Sequence, residues 1–217
     1  MNAPKTATPA AATSDKAALL QSIIDAADAH SARQDWLAAR DTLNLAVELA
    51  PDHVPARAAL GDLQYRLQDY LAACASFTIA TTQSPDNPDL HTQLAMVHIK
   101  LEQADEAQAA LQQALQVRPN HATARQLLGH LHFGAKRFAD AARQYGAVLA
   151  SHPNAVNPLL RLGKCLYELR DLASARRCYA RVIALKPAHK IAAEALQFLD
   201  AHTRTPTAGS PTTPGLN

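Results

Sequence analysis

Apolar and polar positions along this chain recur at an interval of 34 residues. In the window 54–87, Leu60, Gly61 and Leu63 form one seam and Ala73, Phe77 and Ala80 a second, with Pro85 closing the segment. Steps of three and four between apolar residues predict two helices joined by a short turn. The slots refill at each shift. The window 88–121 holds Leu94, Ala95, Ala107, Leu111, Ala114 and Pro119, and 122–155 holds Leu128, Gly129, Ala141, Tyr145, Val148 and Pro153. The window 156–189 holds Leu162, Gly163, Ala175, Tyr179, Val182 and Pro187, and 20–53 holds Ala26, Ala27, Ala39, Leu43, Ala46 and Pro51. Five copies in phase without insertion predict a repeat architecture, in which each unit buries its apolar face against its neighbours.

A two-helix unit of this length, with a Leu-Gly pair, a later alanine, an aromatic four residues on and a closing proline, resembles the tetratricopeptide repeat. The resemblance covers 20–189 and implies an all-α fold, a right-handed α-solenoid of helix-turn-helix units. Two slots depart from the family pattern. The tryptophan common early in the first helix is replaced by Ile23, Arg57, His91, Arg125 and Leu159, and the glycine between the helices by Gln34, Gln68, Glu102, Lys136 and Arg170. A left-handed turn at those five residues costs on the order of 1 kcal/mol each.

The expected solenoid spans 15–202, as repeats 20–53, 54–87, 88–121, 122–155 and 156–189 followed by a closing helix over 190–202, whose apolar side chains include Ile191, Ala192, Ala195, Leu196, Phe198 and Leu199. Residues 1–14 and 203–217, rich in Ala, Thr and Pro, are expected to be disordered tails. Ser14 or Asp15 is expected to cap a first helix that runs to about Ala32, and Asp35, Asp69 and Asp171 to cap second helices. Pro55, Pro88 and Pro158 fall in first turns, where a missing amide does no harm.

Composition fits this picture: 48% of residues are hydrophobic and only 5% aromatic, with much of the apolar content alanine. No window approaches the ~18 uninterrupted apolar residues of a membrane span and no signal-peptide run opens the chain, so a cytoplasmic protein is expected. Cys74, Cys165 and Cys178 have no metal or redox spacing and read as structural thiols. The net charge of +2 hides a sorting. The first three repeats hold six Lys/Arg against thirteen Asp/Glu, and the last two hold eleven against three.

Function in such a fold comes from exposed surfaces. On the first helices the residues left over from the core align in a stripe of Ile24, Asp28 and Ser31; Ala58, Asp62, Tyr65 and Arg66; Thr92, Met96, Ile99 and Lys100; Gln126, His130 and Phe133; and Leu160, Lys164 and Tyr167. The family resemblance implies that this stripe lines a concave groove for a peptide or helix of a partner protein. The Lys/Asn pair of solenoids that grip a chaperone's C-terminal carboxylate is not matched, since those slots hold Ile24/Asp28, Ala58/Asp62, Thr92/Met96, Gln126/His130 and Leu160/Lys164. The asparagine run of sugar-transferase solenoids is replaced by Asp25, Ala59, Gln93, Leu127 and Arg161. Arg170, Arg176, Arg177 and Arg181 form a candidate basic patch, mostly on a second helix, with nucleic acid disfavoured because no aromatics interleave.

His30, His98 and His132 share one slot and read as semi-buried polar fillers, so neither a metal nor another cofactor is expected. No nucleophile-and-base arrangement or phosphate-binding glycine loop is visible, and catalysis is not expected. The expectation is a non-catalytic scaffold or adaptor. Its rivals are a structural protein that self-assembles head to tail through acidic and basic ends, and an accessory subunit that recruits substrates to a separate glycosyltransferase or secretion machine.

Overall fold

The computed structural model describes residues 9–203, so the tails expected over 1–8 and 204–217 lie outside the described residues. Among the described residues there are eleven helices and no strand: α1 (Pro9–Ala32), α2 (Trp36–Leu49), α3 (Val54–Arg66), α4 (Tyr70–Gln83), α5 (Pro88–Lys100), α6 (Ala104–Val117), α7 (Ala122–Gly134), α8 (Phe138–Ser151), α9 (Val156–Glu168), α10 (Leu172–Leu185) and α11 (Lys190–Thr203). The fold is an all-α solenoid of helical hairpins. It divides into two compact units, residues 1–124 and 125–217. In the first, α1 pairs with α2, α3 with α4 and α5 with α6, and each hairpin packs on the next; in the second, α8, α9, α10 and α11 pack in succession.

The repeat slots explain the packing. Ala39, Ala73, Ala107, Ala141 and Ala175 are all fully buried. With no side chain beyond Cβ, they let helices of one hairpin approach closely. One turn on, Leu43, Phe77, Leu111, Tyr145 and Tyr179 are buried in turn and supply the core volume.

Each hairpin turn places its non-glycine residue in the left-handed region, with φ of 63° at Gln34, 64° at Gln68, 60° at Glu102, 58° at Lys136 and 64° at Arg170. The strain expected from sequence is therefore present five times. In return, the next amide reaches back to close the first helix: Asp35 N donates to His30 O at 2.9 Å, Asp69 N to Gln64 O at 2.9 Å, Gln103 N to His98 O at 2.9 Å, Arg137 N to His132 O at 2.8 Å and Asp171 N to Leu166 O at 2.9 Å. This is the Schellman arrangement, which satisfies carbonyls that a helix end would leave open. Asp35, Asp69 and Asp171 then accept from the amides of Ala38, Ala72 and Ser174, as expected of caps.

The start of α1 differs from expectation. The helix begins at Pro9, so residues 9–14 are helical and Ser14 and Asp15 lie inside it instead of capping it. Proline suits a first helical turn, and Ala10, Ala11 and Ala12 are strong helix formers. At the other end, Ala192 and Leu199 of α11 are buried, while Ile191 and Phe198, expected on the same covering face, are exposed.

Sequence reading missed a second set of caps. His53, His121 and His189 each close a repeat, and each Nδ1 accepts an amide of the following helix, from Ala56 at 3.2 Å, Ala124 at 3.3 Å and Ala192 at 3.4 Å. His121 also meets Asp89 Oδ1 through Nε2 at 2.8 Å. Because Nδ1 is occupied as an acceptor, Nε2 carries the proton and donates. The signal was in the sequence, since a histidine three residues before a small residue at a helix start can cap like Asn or Asp.

Candidate functional site

Among the described residues, a groove opens on first-helix faces in each unit. In residues 1–124 the groove has a volume of about 340 Å³ and is lined by Asp28, Ser31, Leu43, Pro55, Ala58, Ala59, Asp62, Leu63 and Arg66. Gln93 on α5 donates to both Asp62 oxygens, at 2.9 and 3.1 Å. The groove walls desolvate Asp62 and raise its carboxyl above the usual range, against the opposing pull of Gln93 and Arg66. Arg66 also lies 5.8 Å from the ring of Trp36, a cation–π distance.

In residues 125–217 the groove is larger, about 560 Å³, and is lined by Gln126, Leu127, His130, Tyr145, Asn157, Leu160, Arg161, Lys164, Tyr179, His189, Ile191 and Ala195. Tyr145 and Tyr179 are 2% and 5% exposed and form its floor. Burial pushes both phenols up to about 12, so they stay neutral. Burial and the Arg161 guanidinium together hold His130 below the usual imidazole range. Leu127, Leu160, Ile191 and Ala195 supply apolar wall, and Ile191 is 60% exposed.

The stripe read from sequence is thus divided. Asp28, Asp62 and Arg66 come together in one groove, and His130 and Lys164 in the other. Ile24 and Thr92 are buried, with Thr92 Oγ1 bonded to Pro88 O at 2.8 Å. Met96 and Ile99 are half-buried and Lys100 exposed, and none lines either groove. Each of the three aromatics, half-buried, packs against another ring. Tyr65 packs edge-on to Tyr70 at 5.5 Å, Phe133 to Phe138 at 5.2 Å and Tyr167 to Phe198 at 6.0 Å. Their partners stand across a hairpin turn or on α11, which spacing along one helix does not reveal.

Arg161, Asn157, Tyr145, Tyr179, His189, Ile191 and Ala195 line the groove outside the stripe that sequence spacing predicts. Arg161 stands in the slot where sugar-transferase solenoids carry asparagine, and that slot was the available signal. The candidate basic patch is partly engaged: Arg176 Nε pairs with Asp200 at 2.7 Å, Arg177 donates to Ser174 Oγ at 2.7 Å and Arg181 to Asn154 Oδ1 at 3.1 Å. Arg170 is the left-handed turn residue.

Cys165 is buried and its thiol pushed up to about 11 by burial, and Cys178 is half-buried and raised for the same reason. Neither has the lowered value of a reactive thiol. Of the shared histidine slot, His30 faces Asp35 at 3.7 Å and His98 Nδ1 meets Gln103 Oε1 at 2.7 Å. His132 is buried near the charges of Arg137, Asp140 and Arg143, and its buried Nδ1 has no hydrogen-bond partner among the described residues. Among the described residues no helix is long and apolar enough to cross a membrane.

Comparison with known proteins places this geometry in context. Two family models, each described as "Tetratricopeptide repeat", match the chain, one over residues 66–131 and the other over 24–88 and 127–190. No curated protein matches it. Among solved structures, YrrB, described as a TPR protein with an unusual peptide-binding site, is 24% identical, with a TM-score of 0.67 over 81% of this chain and 90% of that one. PilF of Pseudomonas aeruginosa is 18% identical, with a TM-score of 0.70 over 87% and 91%. MamA of Desulfovibrio magneticus RS-1 is 19% identical, with a TM-score of 0.70 over 81% and 97%.

Proposed function

Because the chain belongs to the tetratricopeptide repeat family, whose members act as protein–protein interaction scaffolds, we propose that it is a non-catalytic adaptor holding an extended or helical segment of a partner protein in its first-helix grooves. The observation that carries this reading is the groove over Tyr145 and Tyr179. Its volume of about 560 Å³ falls in the range of about 300–1,000 Å³ typical of ligand sites. Its walls mix apolar side chains with a few polar and charged groups, the combination that gives contact area and orientation together. The floor is buried and the backbone helical, so little ordering is required on binding. YrrB's description as a peptide-binding protein of the same fold agrees with this reading by analogy.

The test is to fill the groove. Ile191→Trp places bulk in it, and Leu71→Trp places the same bulk on an exposed position outside both grooves. Proteins retained by immobilised wild-type chain should be lost with Ile191→Trp and kept with Leu71→Trp. Equal retention by all three would refute groove binding.

Charge sorting favours a second reading, self-assembly through unlike ends. Light scattering at about 50 and about 500 mM salt moves the Debye length from roughly 14 to roughly 4 Å. Assemblies that dissolve at high salt support self-assembly, and a monomer at both salts rejects it.

A further inference from the structure

We propose that the groove of the second unit takes an acidic peptide segment with an apolar side chain among its carboxylates, and that Arg161 and Lys164 are the carboxylate-binding residues. The inference rests on the reading of that groove as a ligand site and adds the chemistry of the ligand.

The groove lining carries one sign of charge. Among the described residues, its ionisable groups besides the two floor tyrosines are Arg161, Lys164, His130 and His189, with no carboxylate. The two full cations have no carboxylate partner among the described residues. Elsewhere in the same unit, Arg176 is paired with Asp200 and Arg143 with Asp140. Arg161 and Lys164 make no such pair, although Glu168 stands one helical turn beyond Lys164. Both are exposed on one face of α9, three residues apart. That spacing puts them within reach of a single carboxylate or of two neighbouring ones.

Asp28, Asp62, His130 and Lys164 occupy one and the same slot of their repeats. The slot is acidic in the first unit's groove and basic in the second's. The repeat register therefore does not dictate a basic residue there, and the sign is particular to this groove.

The apolar component follows from Leu127, Leu160 and Ile191 beside the cations. Ile191 leaves most of its side chain open at the groove, where an apolar ligand group would cover it. A nucleic acid fits less well, because stacking needs an open aromatic face and Tyr145 and Tyr179 are buried in the floor.

The experiment is selection of random dodecapeptides displayed on phage against the immobilised full chain at about 150 mM salt, in parallel with an Arg161→Gln/Lys164→Gln double variant. The substituted side chains are exposed, and a circular-dichroism melt matching wild type shows that the variant is folded. The expected result is enrichment of Asp/Glu flanking an apolar residue, with synthetic copies of the selected peptides binding the variant about tenfold or more weakly. Enriched peptides that are neutral or basic, or that bind the double variant equally well, overturn the acidic assignment while leaving the groove as a ligand site. No enrichment over bare matrix overturns the acidic assignment and peptide binding in the groove together.

Discussion

Gly129 stands so close to the Tyr145 ring that a Cβ on it would meet Cζ at 2.9 Å. Gly61 stands equally close to Phe77 and Gly163 to Tyr179. Where the second helix offers Leu43 or Leu111 instead of an aromatic, the facing residue is Ala27 or Ala95. Within one chain, glycine goes with a ring and alanine with leucine, so the pair is a single packing unit of nearly fixed volume. Gly129→Leu should lower stability by about 1–3 kcal/mol, because Tyr145 is buried and cannot swing away. Gly129→Ala should cost less, and Gly129→Ala with Tyr145→Leu, which copies the first and third repeats, should recover part of that loss. Urea melts of the three variants test this, and a Gly129→Leu midpoint equal to wild type would contradict it.

The left-handed turns predict a stabilising change. Lys136 sits at φ 58° with a Cβ that glycine lacks. Lys136→Gly should raise stability by about 0.5 kcal/mol, the relief of strain exceeding the added freedom of the unfolded chain. Lys136→Val should lower it by about 1 kcal/mol or more, since a branched side chain tolerates this conformation poorly. Denaturant midpoints in the opposite order would rule out strain at the turn.

The Phe133–Phe138 contact gives a third prediction. Since the Phe133 ring packs edge-on across its hairpin turn, Phe133→Ala should destabilise the chain by about 1–3 kcal/mol. Lys164→Gln, exposed and unpaired, should leave the melt unchanged. A stable Phe133→Ala would mean that the ring is free to serve a ligand.

His132 gives a pH dependence. Burial and the nearby Arg137 hold its imidazole below the usual range. The unfolded chain, titrating near about 6.5, therefore takes up the proton first. Its contribution to stability is full above that pH and is lost as pH falls through the window between the unfolded and folded values. Leu166 fills the same slot in the last repeat. His132→Leu should thus raise the melting temperature, by more at pH 5 than at pH 8, because it also removes a buried nitrogen without a partner. An equal gain at both pH values would exclude His132 as the titrating group.

Features set by spacing along the chain were legible in the sequence. The five left-handed turns, the aspartate caps and the buried alanines depend only on position within the repeat, and Gln34, Asp35 and Ala39 show all three within six residues. Each groove was legible in part, because Asp62 in one and Lys164 in the other project from first helices at a slot that simple helical geometry identifies. Tyr145, Tyr179 and Ile191 were not, since they reach the second unit's groove from second helices and from α11, and that convergence is a matter of packing between elements. The ring contacts of Tyr65 and Phe133 were not legible either. Their partners five residues on lie beyond a turn, where a single-helix pattern cannot see them.

The most direct test of the scaffold reading is site-specific photo-crosslinking in cell extract. A photoreactive phenylalanine would replace Asn157, which lines the groove without a proposed part in binding, or Arg177, exposed on α10. Adducts from position 157 that are absent from position 177 are the expected result. Adducts from 177 alone, or from neither position, would contradict a partner held on the first-helix face.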